Sequence, residues 1–308
     1  MSTLFSHFST KINQISPLEH KYTQVLDTIA LMPKTLYYYG KLPENMVKTV
    51  AIVGSRHNTR YGEEVAYKLA YELAKEGVIV VSGLAYGIDS IAHRGCLDAG
   101  GTTIAVLGTP IDKIYPRAHT GLAREIIEKG GAVMSEYPPA NGKNTLSKEN
   151  PDPKYSFLFR NRIISGLADA VVVVEAAERS GSLNTATHAL EQGKEVFAVP
   201  GNITSPYSQG CNKLIREGAT PCTSPDDVLD YLFPERIVKK HRHAKAHKLI
   251  GDNDVETIIL GALYSGASKS DEIMGKTHLP PEVFSEAASM LEIKGRIRPL
   301  GVGAWALQ

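Results

Sequence analysis

Six short apolar runs recur between residues 50 and 199, and stretches of helical spacing separate them. The runs are VAIV at 50–53, VIVV at 78–81, TIAVL at 103–107, AVM at 132–134, AVVVVE at 170–175 and EVFAV at 195–199. They are apolar at successive positions, which is typical of strands covered on both faces. Between them the spacing is helical, most clearly at Val65, Leu69 and Leu73. Strands that alternate with helices predict an α/β fold with a doubly wound, mostly parallel sheet.

The two ends of the chain follow other patterns. After Phe233-Pro234 the alternation stops, and helical spacing at 254–264, 269–275 and 281–294 leads to a hairpin pattern at 297–307. Helices followed by a β-hairpin in about 55 residues predict a small C-terminal winged-helix domain. We therefore expect a short N-terminal helical segment at 1–48 (with its helix near 22–32), a doubly wound domain at 49–234, a basic linker at 235–252 and a winged-helix domain at 253–308.

Composition and charge are those of a globular protein, with one local exception. Hydrophobic residues make up 43% and charged residues 22% of the 308 positions, and the formal net charge is +1, so no global excess of positive charge indicates a nucleic acid. Between Arg236 and Gly251, six basic residues and three histidines occur without an acid. Such a run is usually a solvated linker, and contact with a nucleic acid is the alternative.

The spacing of the cysteines and the sequence of the N-terminus indicate the cellular compartment of the protein. Cys96, Cys211 and Cys222 are widely spaced and form no CxxC pair, so we predict neither a disulfide framework nor a metal site. The N-terminus lacks the basic head and apolar core of a secretory signal, and the longest apolar run, at 171–174, is far below the roughly 20 residues that cross a bilayer. We expect a cytoplasmic protein without a membrane segment.

Glycines and serines follow several of the predicted strands. In a doubly wound sheet, ligands bind outside the carboxyl ends of the strands, and small residues there let a backbone approach a phosphate. The candidates are Gly54, Ser55, Ser82, Gly83, Gly87, Ser180, Gly181 and Ser182. The G-x-G-x-x-G spacing is absent, and no acid ends the second strand, so we expect neither a nicotinamide nor another cofactor.

Basic and aromatic residues lie at the same predicted edge. They are Arg56, Arg117, Arg160, Asn161 and Arg162, with Tyr115, Tyr155, Phe157 and Phe159 among them. A single arginine would be an ordinary surface residue, but a set of them suits a polyanion bound through its phosphates. The bases of a single strand can stack on exposed rings, although any one ring is more often part of the core. Phe157 is the preferred exposed candidate, because Lys154 and the arginines surround it.

Catalytic arrangements are hard to find in this sequence. Ser180-Gly181-Ser182 is not a nucleophile elbow, and no histidine ends a strand; His93 and His188 fall within helical patterns. Glu136 and Glu175 end strands and could form an acid–base pair. The alternative is that Glu175 accepts hydrogen bonds from the Ser-Gly-Ser loop and orders it. We predict a protein that is not an enzyme.

The sequence resembles the DprA/Smf family over residues 50–219. The matching segments are VAIVGSR at 50–56, SGLAYGIDSIAH at 82–93, AVLGTPIDKIYP at 105–116, SEYP at 135–138, FRNRIISGLADAVVVVEA at 159–176, SGSLNTA at 180–186, VFAVPG at 196–201 and GCNKLIREGA at 210–219. The combination of GSR, SGxAxGID and RNRII is highly specific to that family.

The resemblance implies an extended Rossmann-like domain that binds single-stranded DNA without sequence preference. It also implies protection of that DNA, a homodimer, and loading of the RecA recombinase in natural transformation and homologous recombination. Carried over residue by residue, the basic and aromatic contacts of the family are Arg56, Arg117, Lys154 and Phe157. The C-terminal residues resemble the winged-helix extension that is frequent in the family.

Three positions depart from the usual family pattern. Thr109-Pro110 stands where many members have a second glycine, Leu158 replaces a proline, and the first 48 residues are short for the usual N-terminal helical domain.

The alternative function is that of the LOG-type nucleotide phosphoribohydrolases, whose sheet is similar. Those enzymes carry a PGGxGT-type loop, whereas residues 175–182 read EAAERSGS here. Release of adenine from AMP would distinguish the two functions.

Overall fold

The computed structural model describes residues 11–140, 153–236 and 249–308. The chain divides into two compact units, Met1–Leu232 and Phe233–Gln308. Each unit has its own apolar core, so each is described by itself.

A sheet with nine strands in its described part forms the centre of the first unit. The strands are β1 (Asn13–Ile15), β2 (Leu36–Gly40), β3 (Thr49–Val53), β4 (Ile79–Ser82), β5 (Thr103–Leu107), β6 (Ala132–Ser135), β7 (Ala170–Val173), β8 (Glu195–Ala198) and β9 (Thr220–Pro221). Their order across the sheet is β1-β2-β6-β5-β4-β3-β7-β8-β9. Strands β3 to β9 pair in parallel, and β1 and β2 are antiparallel at one edge. The six predicted strands are β3 to β8, which confirms the α/β, Rossmann-like class.

Helices cover both faces of this sheet. They are α1 (Arg60–Lys75), α2 (Ile88–Asp98), α3 (Thr120–Glu128), α4 (Pro153–Leu167), α5 (Gly181–Glu191), α6 (Gln209–Arg216) and α7 (Pro225–Leu232). Residues of α4, α5 and α6 join the core on one face, and α3 packs on the other. Every residue of β3, β5 and β7 is buried, as expected for strands covered on both sides.

The N-terminal segment is built differently from the predicted helix near residues 22–32. That stretch contains only a short 3-10 helix, Gln24–Thr28, and the flanking chain supplies the edge strands β1 and β2. Branched residues explain the difference, since Val25, Thr28 and Ile29 disfavour a longer α-helix. The segment is held in place because Leu26 and Leu36 are fully buried in the core that also contains α4 residues.

The second unit contains three helices and a hairpin. They are α8 (Asp254–Tyr264), α9 (Ser270–Thr277), α10 (Pro281–Ile293), β10 (Ile297–Gly301) and β11 (Ala304–Leu307). Ile259, Leu260, Ile273 and Leu291 are its most buried side chains. These elements lie within a few residues of the predicted helices and hairpin, and the winged-helix assignment itself stays a prediction.

The cysteines are free and buried. Burial raises the pKa of the Cys96, Cys211 and Cys222 thiols to about 12, so they stay protonated and inert at neutral pH. Within the described ranges, no helix is long and apolar enough to cross a bilayer. No group of three or more His, Cys, Asp or Glu side chains in those ranges is placed to bind a metal ion.

Replacing Gly40 tests whether the N-terminal strands stabilise the sheet. Gly40 ends β2 with φ +88°, and a Cβ there would overlap the carbonyl oxygen of Gly131 beside β6. Gly100 has a similar φ of +75° with open space around it, so Gly100→Ala adds only conformational strain, about 1–2 kcal/mol. We expect Gly40→Ala to lower the free energy of unfolding by clearly more, measured by urea denaturation. Equal losses in the two variants would contradict this packing.

Candidate functional site

A cleft opens where the winding direction of the sheet reverses. Strand β3 lies between β4 and β7, which makes the carboxyl ends of β3 and β7 the topological switch point at which doubly wound sheets bind ligands. The cleft there has a volume of about 630 Å³, and its lining includes residues 54–57 after β3 and residues 179–182 after β7. The predicted edge and the cleft therefore coincide.

The cleft continues along the carboxyl edge of the sheet. A small pocket shares Arg56 and Phe157 with it, and shares Tyr115 and Pro116 with a second cleft of about 520 Å³. Arg117 lines that second cleft. The three cavities form one path from the loop after β7 to the loop after β5, which we call the rim groove.

Arg56 and Phe157 form the centre of the rim groove. Arg56 is exposed on the turn after β3, and its guanidinium carbon lies 5.6 Å from the centre of the Phe157 ring. The ring is half-buried and lies 5.3 Å from the ring of Tyr115, so the preferred exposed candidate is only partly exposed. Gly108 explains the burial, because a Cβ there would lie 2.8 Å from Phe157 Cδ1.

Arg117 is exposed at the other end of the rim groove. It begins a 3-10 helix, Arg117–His119, directly after Pro116. Exposed aromatic rings lie beside it, since Tyr86 and Tyr115 are 47% and 50% exposed and line the same cleft. A cation beside two open rings is what a strand bound through phosphates and bases requires.

Arg160 is buried beneath the groove, contrary to the expectation that it faces a phosphate freely. It is 3% exposed, and its guanidinium donates to the carbonyl oxygens of Gly83 (3.0 Å) and Val106. Burial lowers the pKa of Arg160 to about 10, opposed by the neighbouring Asp89 carboxylate, so it is charged at neutral pH. Asp89 accepts from the backbone amides of Gly83 (3.1 Å) and Ala85 (3.4 Å).

Arg162 points away from the rim groove and is also corrected. Its guanidinium donates to both carboxylate oxygens of Glu136, at 2.9 and 2.6 Å, and to the carbonyl oxygen of Leu31 at 2.7 Å. The side chains of Arg162 and Glu136 are only 6% and 11% exposed. The pair joins α4 to the end of β6 and to the N-terminal segment, so Arg162 is a structural residue.

Three of the predicted glycines are needed for packing inside the protein. A Cβ on Gly54 would lie 2.6 Å from Ile88, and one on Gly83 would lie 2.6 Å from the Arg160 guanidinium. Gly87 has φ +76°, and its Cβ would overlap the carbonyl oxygen of Ser55. These glycines let the loops after β3 and β4 pack closely against neighbouring parts of the chain. The close approach that they permit is therefore within the protein, whereas the sequence analysis expected an approach to a phosphate.

Among the predicted serines and Asn161, Ser55 and Ser180 are partly exposed, whereas Ser82, Asn161 and Ser182 are buried. Ser82 is fully buried, and its hydroxyl donates to the Ile52 carbonyl oxygen at 2.7 Å, so it offers nothing to a ligand. Asn161 lines the cleft and donates to the carbonyl oxygen of Gly181 at 3.2 Å. Other predicted residues that line the cleft are Gly54, Ser55, Arg160, Ser180, Gly181 and Ser182.

The two strand-end carboxylates hold the structure together. Glu175 is 3% exposed and accepts from the Thr59 hydroxyl (2.6 Å) and the Thr59 amide (2.9 Å). Its carboxylate therefore orders the start of α1, and the expected bonds from the Ser-Gly-Ser loop are corrected. Glu136 is engaged by Arg162. Both strand-end carboxylates are thus bonded to other parts of the chain.

Two predicted features lie outside the described residues. The side chain of Lys154 is one of them, although its backbone is in α4. Most of the basic linker, residues 237–248, is the other. Nothing in the structure bears on their roles.

Sequence reasoning missed three residues that line the rim groove. Arg179 is exposed in the first cleft, and Lys113 and Tyr86 are exposed in the second. Arg179 directly precedes the Ser-Gly-Ser loop, which was the one signal that could have identified it. With Arg56 and Arg117, the groove presents four exposed cations around half-buried and exposed rings, an arrangement suited to an elongated polyanion.

Comparison with known proteins identifies relatives of this chain. A model of the family described as DNA recombination-mediator protein A matches residues 13–233. Protein Smf of Escherichia coli (strain K12) is 46% identical over 200 residues, 65% of this chain and 51% of that protein. DNA processing protein DprA of Bacillus subtilis (strain 168) is 41% identical over 229 residues, 74% of this chain and 73% of that protein. The matched part thus spans about half the length of the E. coli relative.

Two solved structures share the fold. DNA processing protein A of Streptococcus pneumoniae superposes with a TM-score of 0.61 at 41% identity, covering 71% of this chain and 74% of that one. The Helicobacter pylori protein, whose structure describes a unique single-stranded DNA binding mode, has a TM-score of 0.61 at 31% identity and covers 75% and 98%.

The structural role of Arg162 can be tested by Arg162→Met. Removing one partner of a buried ion pair leaves Glu136 uncompensated, which typically costs about 3–5 kcal/mol. We expect a loss of that size in the free energy of unfolding, measured by urea denaturation at pH 7. The exposed Arg94 on α2 is the control, since Arg94→Met should change stability by less than about 0.5 kcal/mol. A fully stable Arg162→Met protein would contradict the assignment.

Proposed function

This chain belongs to the DNA recombination-mediator protein A family, and on that premise we propose that its Rossmann-like unit binds single-stranded DNA without sequence preference along the rim groove. The observation that carries the proposal is the row of exposed cations, Arg56, Arg117 and Arg179, beside the Phe157 and Tyr115 rings. Cations on phosphates and rings under bases are the general means by which proteins hold single strands.

The lack of sequence preference follows from the chemistry of the groove. Arginine contacts to phosphates fix the position of a strand without reading its bases. Stacking tolerates every base, because each has a π-face. The Helicobacter pylori relative, named for its single-stranded DNA binding mode, supports the same polymer as the ligand of this chain.

We further infer that the bound strand is protected and passed to the RecA recombinase. Membership of a family described as recombination mediators supports this step, and so does the Rossmann-like unit that this chain shares with the DprA relatives. We propose that the protein acts as a homodimer in the cytoplasm, in homologous recombination and natural transformation. Because the match spans about half of the E. coli relative, these roles are proposals for this chain.

We propose a binding role instead of catalysis at this site. Glu175 is held by Thr59, and Glu136 by Arg162, which leaves neither strand-end carboxylate available to move a proton. His93 is fully buried with its Nδ1 2.7 Å from the Thr103 hydroxyl, and burial lowers its pKa to about 3. These contacts argue against the phosphoribohydrolase alternative.

We propose that the second unit is a winged helix with a role other than reading duplex DNA. Three helices followed by the β10–β11 hairpin support the assignment. Helix α10 carries Glu282, Glu286 and Glu292 and no basic residue. At its end, Lys294 is paired with Asp252 and Glu256, at 2.6 and 2.7 Å. An acidic helix is poorly suited to the phosphates that flank a DNA groove.

Variants of Arg56 and Phe157 separate the ionic from the stacking contribution. Arg56→Ala should weaken binding of all single strands alike and lower the slope of log affinity against log salt by roughly 0.7, the loss of one phosphate contact. Phe157→Ala should cost about 1–3 kcal/mol of binding free energy and leave the slope nearly unchanged, because stacking releases no counterions. Fluorescence anisotropy at several salt concentrations measures both quantities.

Arg216→Ala is the matched control for this pair. Arg216 is exposed at the carboxyl end of α6 and lines neither cleft. Its loss should leave affinity and salt slope almost unchanged. If folded Arg56→Ala binds like the unmodified protein, DNA does not lie in the rim groove.

Truncation to residues 1–234 tests which unit binds the strand. This piece contains the whole first unit, Met1–Leu232, and all the groove residues. We expect it to retain single-strand binding in a gel shift, with at most a modest loss from the missing linker charges. A truncated protein that keeps its circular dichroism spectrum and loses nearly all affinity would move the binding site to the linker or the second unit.

A further inference from the structure

Helix α10 of the second unit has one face in the core and one that is open in the described part of the chain. Its buried side consists of Phe284, Ala287, Ala288 and Leu291. On the open side, the apolar residues Val283, Met290 and Ile293 are 38%, 43% and 78% exposed. Because the buried side fixes the helix in the unit, the open side is a preformed surface.

The open apolar residues follow the spacing of a coiled-coil seam. Met290 comes seven residues after Val283, and Ile293 follows three residues later, so they occupy two a positions and one d position of a heptad. Glu286 stands at the d position between Val283 and Met290. Ten residues of helix rise by about 15 Å. We call these four residues the α10 seam, and their spacing is the one by which a helix receives a second helix alongside it.

The charge on and around the α10 seam is negative. Glu282, Glu286 and Glu292 are exposed, and their carboxylates form no ion pair among the described residues. Lys294, directly after the helix, is already paired with two carboxylates. Across residues 249–308, acidic residues outnumber basic ones by eight to five. Charge complementarity therefore favours a basic occupant.

Glu286 disfavours the other possible occupants of the seam. A second copy of α10 would bring this carboxylate against its own counterpart in a parallel pair, or against Val283 or Met290 in an antiparallel pair. Either arrangement leaves a charge uncompensated in an apolar interface. Nucleic acid and an anionic lipid surface carry the same sign of charge as the seam. A helix with a lysine or arginine opposite Glu286 meets none of these costs.

We propose that the α10 seam docks a basic amphipathic helix of another protein. The partner helix packs apolar side chains on Val283, Met290 and Ile293, and one of its lysines or arginines pairs with Glu286. The apolar contacts supply affinity, and the pair with Glu286 selects the partner and fixes the register. The second unit thereby acts as an adaptor, and this role does not depend on where the first unit binds DNA.

Two labelled peptides test the pairing with the full chain. Each is about three heptads long, with leucine at the a and d positions and lysine and alanine elsewhere, and one of them carries a lysine in place of the central d leucine. In fluorescence anisotropy, the unmodified protein should bind the lysine-seam peptide roughly tenfold more tightly than the leucine-seam peptide, because only the first pairs with Glu286. Glu286→Leu should reverse that preference.

Ile293→Lys and Val302→Lys form a matched pair of variants. Ile293→Lys places a cation in the seam, so it should weaken binding of the lysine-seam peptide roughly tenfold or more. Val302 is a fully exposed apolar residue between β10 and β11, and Val302→Lys should leave peptide binding unchanged. Both variants should unfold at the same urea concentration as the unmodified protein, because both side chains are exposed.

The outcomes separate a specific docking site from general attraction between charges. Equal affinity for the two peptides, or undiminished binding by Ile293→Lys, would refute the seam. If sedimentation shows self-association that Ile293→Lys abolishes, the occupant is a second copy. If a peptide of residues 236–251 binds more tightly than the lysine-seam peptide, the occupant is the basic linker of this chain. Either of these last two results also overturns the proposal, and Arg56→Ala should bind the peptides normally whether or not DNA lies in the rim groove.

Discussion

The rim groove depends on the buried guanidinium of Arg160. A buried charge is costly unless polar groups compensate it. Here the Arg160 guanidinium donates to the Asn161 side chain and to the carbonyl oxygens of Gly83 and Val106, and the nearby Asp89 carboxylate favours its charged form. Gly83, Val106 and Asp89 lie at the ends of β4 and β5 and at the start of α2. The Arg160 side chain from α4 therefore ties the loop after β4, which carries Tyr86, to the end of β5. Asp89 accepts from the amide of Gly83, which links the same loop to α2.

This constraint divides the basic residues of the site between two tasks. Arg160 and Arg162, two residues apart on α4, both point into the protein and hold separate parts of it together. Exposed cations on the surrounding loops, Arg56, Arg117 and Arg179, are left to meet a ligand. Preorganised loops reduce the ordering cost of binding, so under the proposed function the buried arginines contribute to affinity by holding the loops in place.

Much of the architecture could be predicted from sequence, because apolar runs and helical spacing carry it. Strands β3 to β8, helix α1 and the elements of the second unit lie close to their predicted positions. The edge strands β1 and β2 could not, because β1 has only three residues and the register of β2 depends on β6, which is distant in the chain. In the site, sequence order predicted that Arg56 and Arg117 lie at the carboxyl edge of the sheet, where the structure has both exposed. It could not tell that Arg160 and Arg162 face inward, since their direction depends on partners such as Gly83 and Glu136 that are distant in the chain. Arg179 was missed although it directly precedes the Ser-Gly-Ser loop, because a single arginine on a loop is usually an ordinary surface residue.

The central claim is that a single strand of DNA lies along the carboxyl edge of the sheet. Hydrogen–deuterium exchange of the full chain, with and without a saturating thymidine oligonucleotide, tests it most directly because it reports every segment at once. We expect slower exchange in residues 54–57, 113–120 and 179–185, and unchanged exchange in residues 254–308. Protection confined to residues 254–308, with the three rim segments unaffected at saturation, would contradict the account.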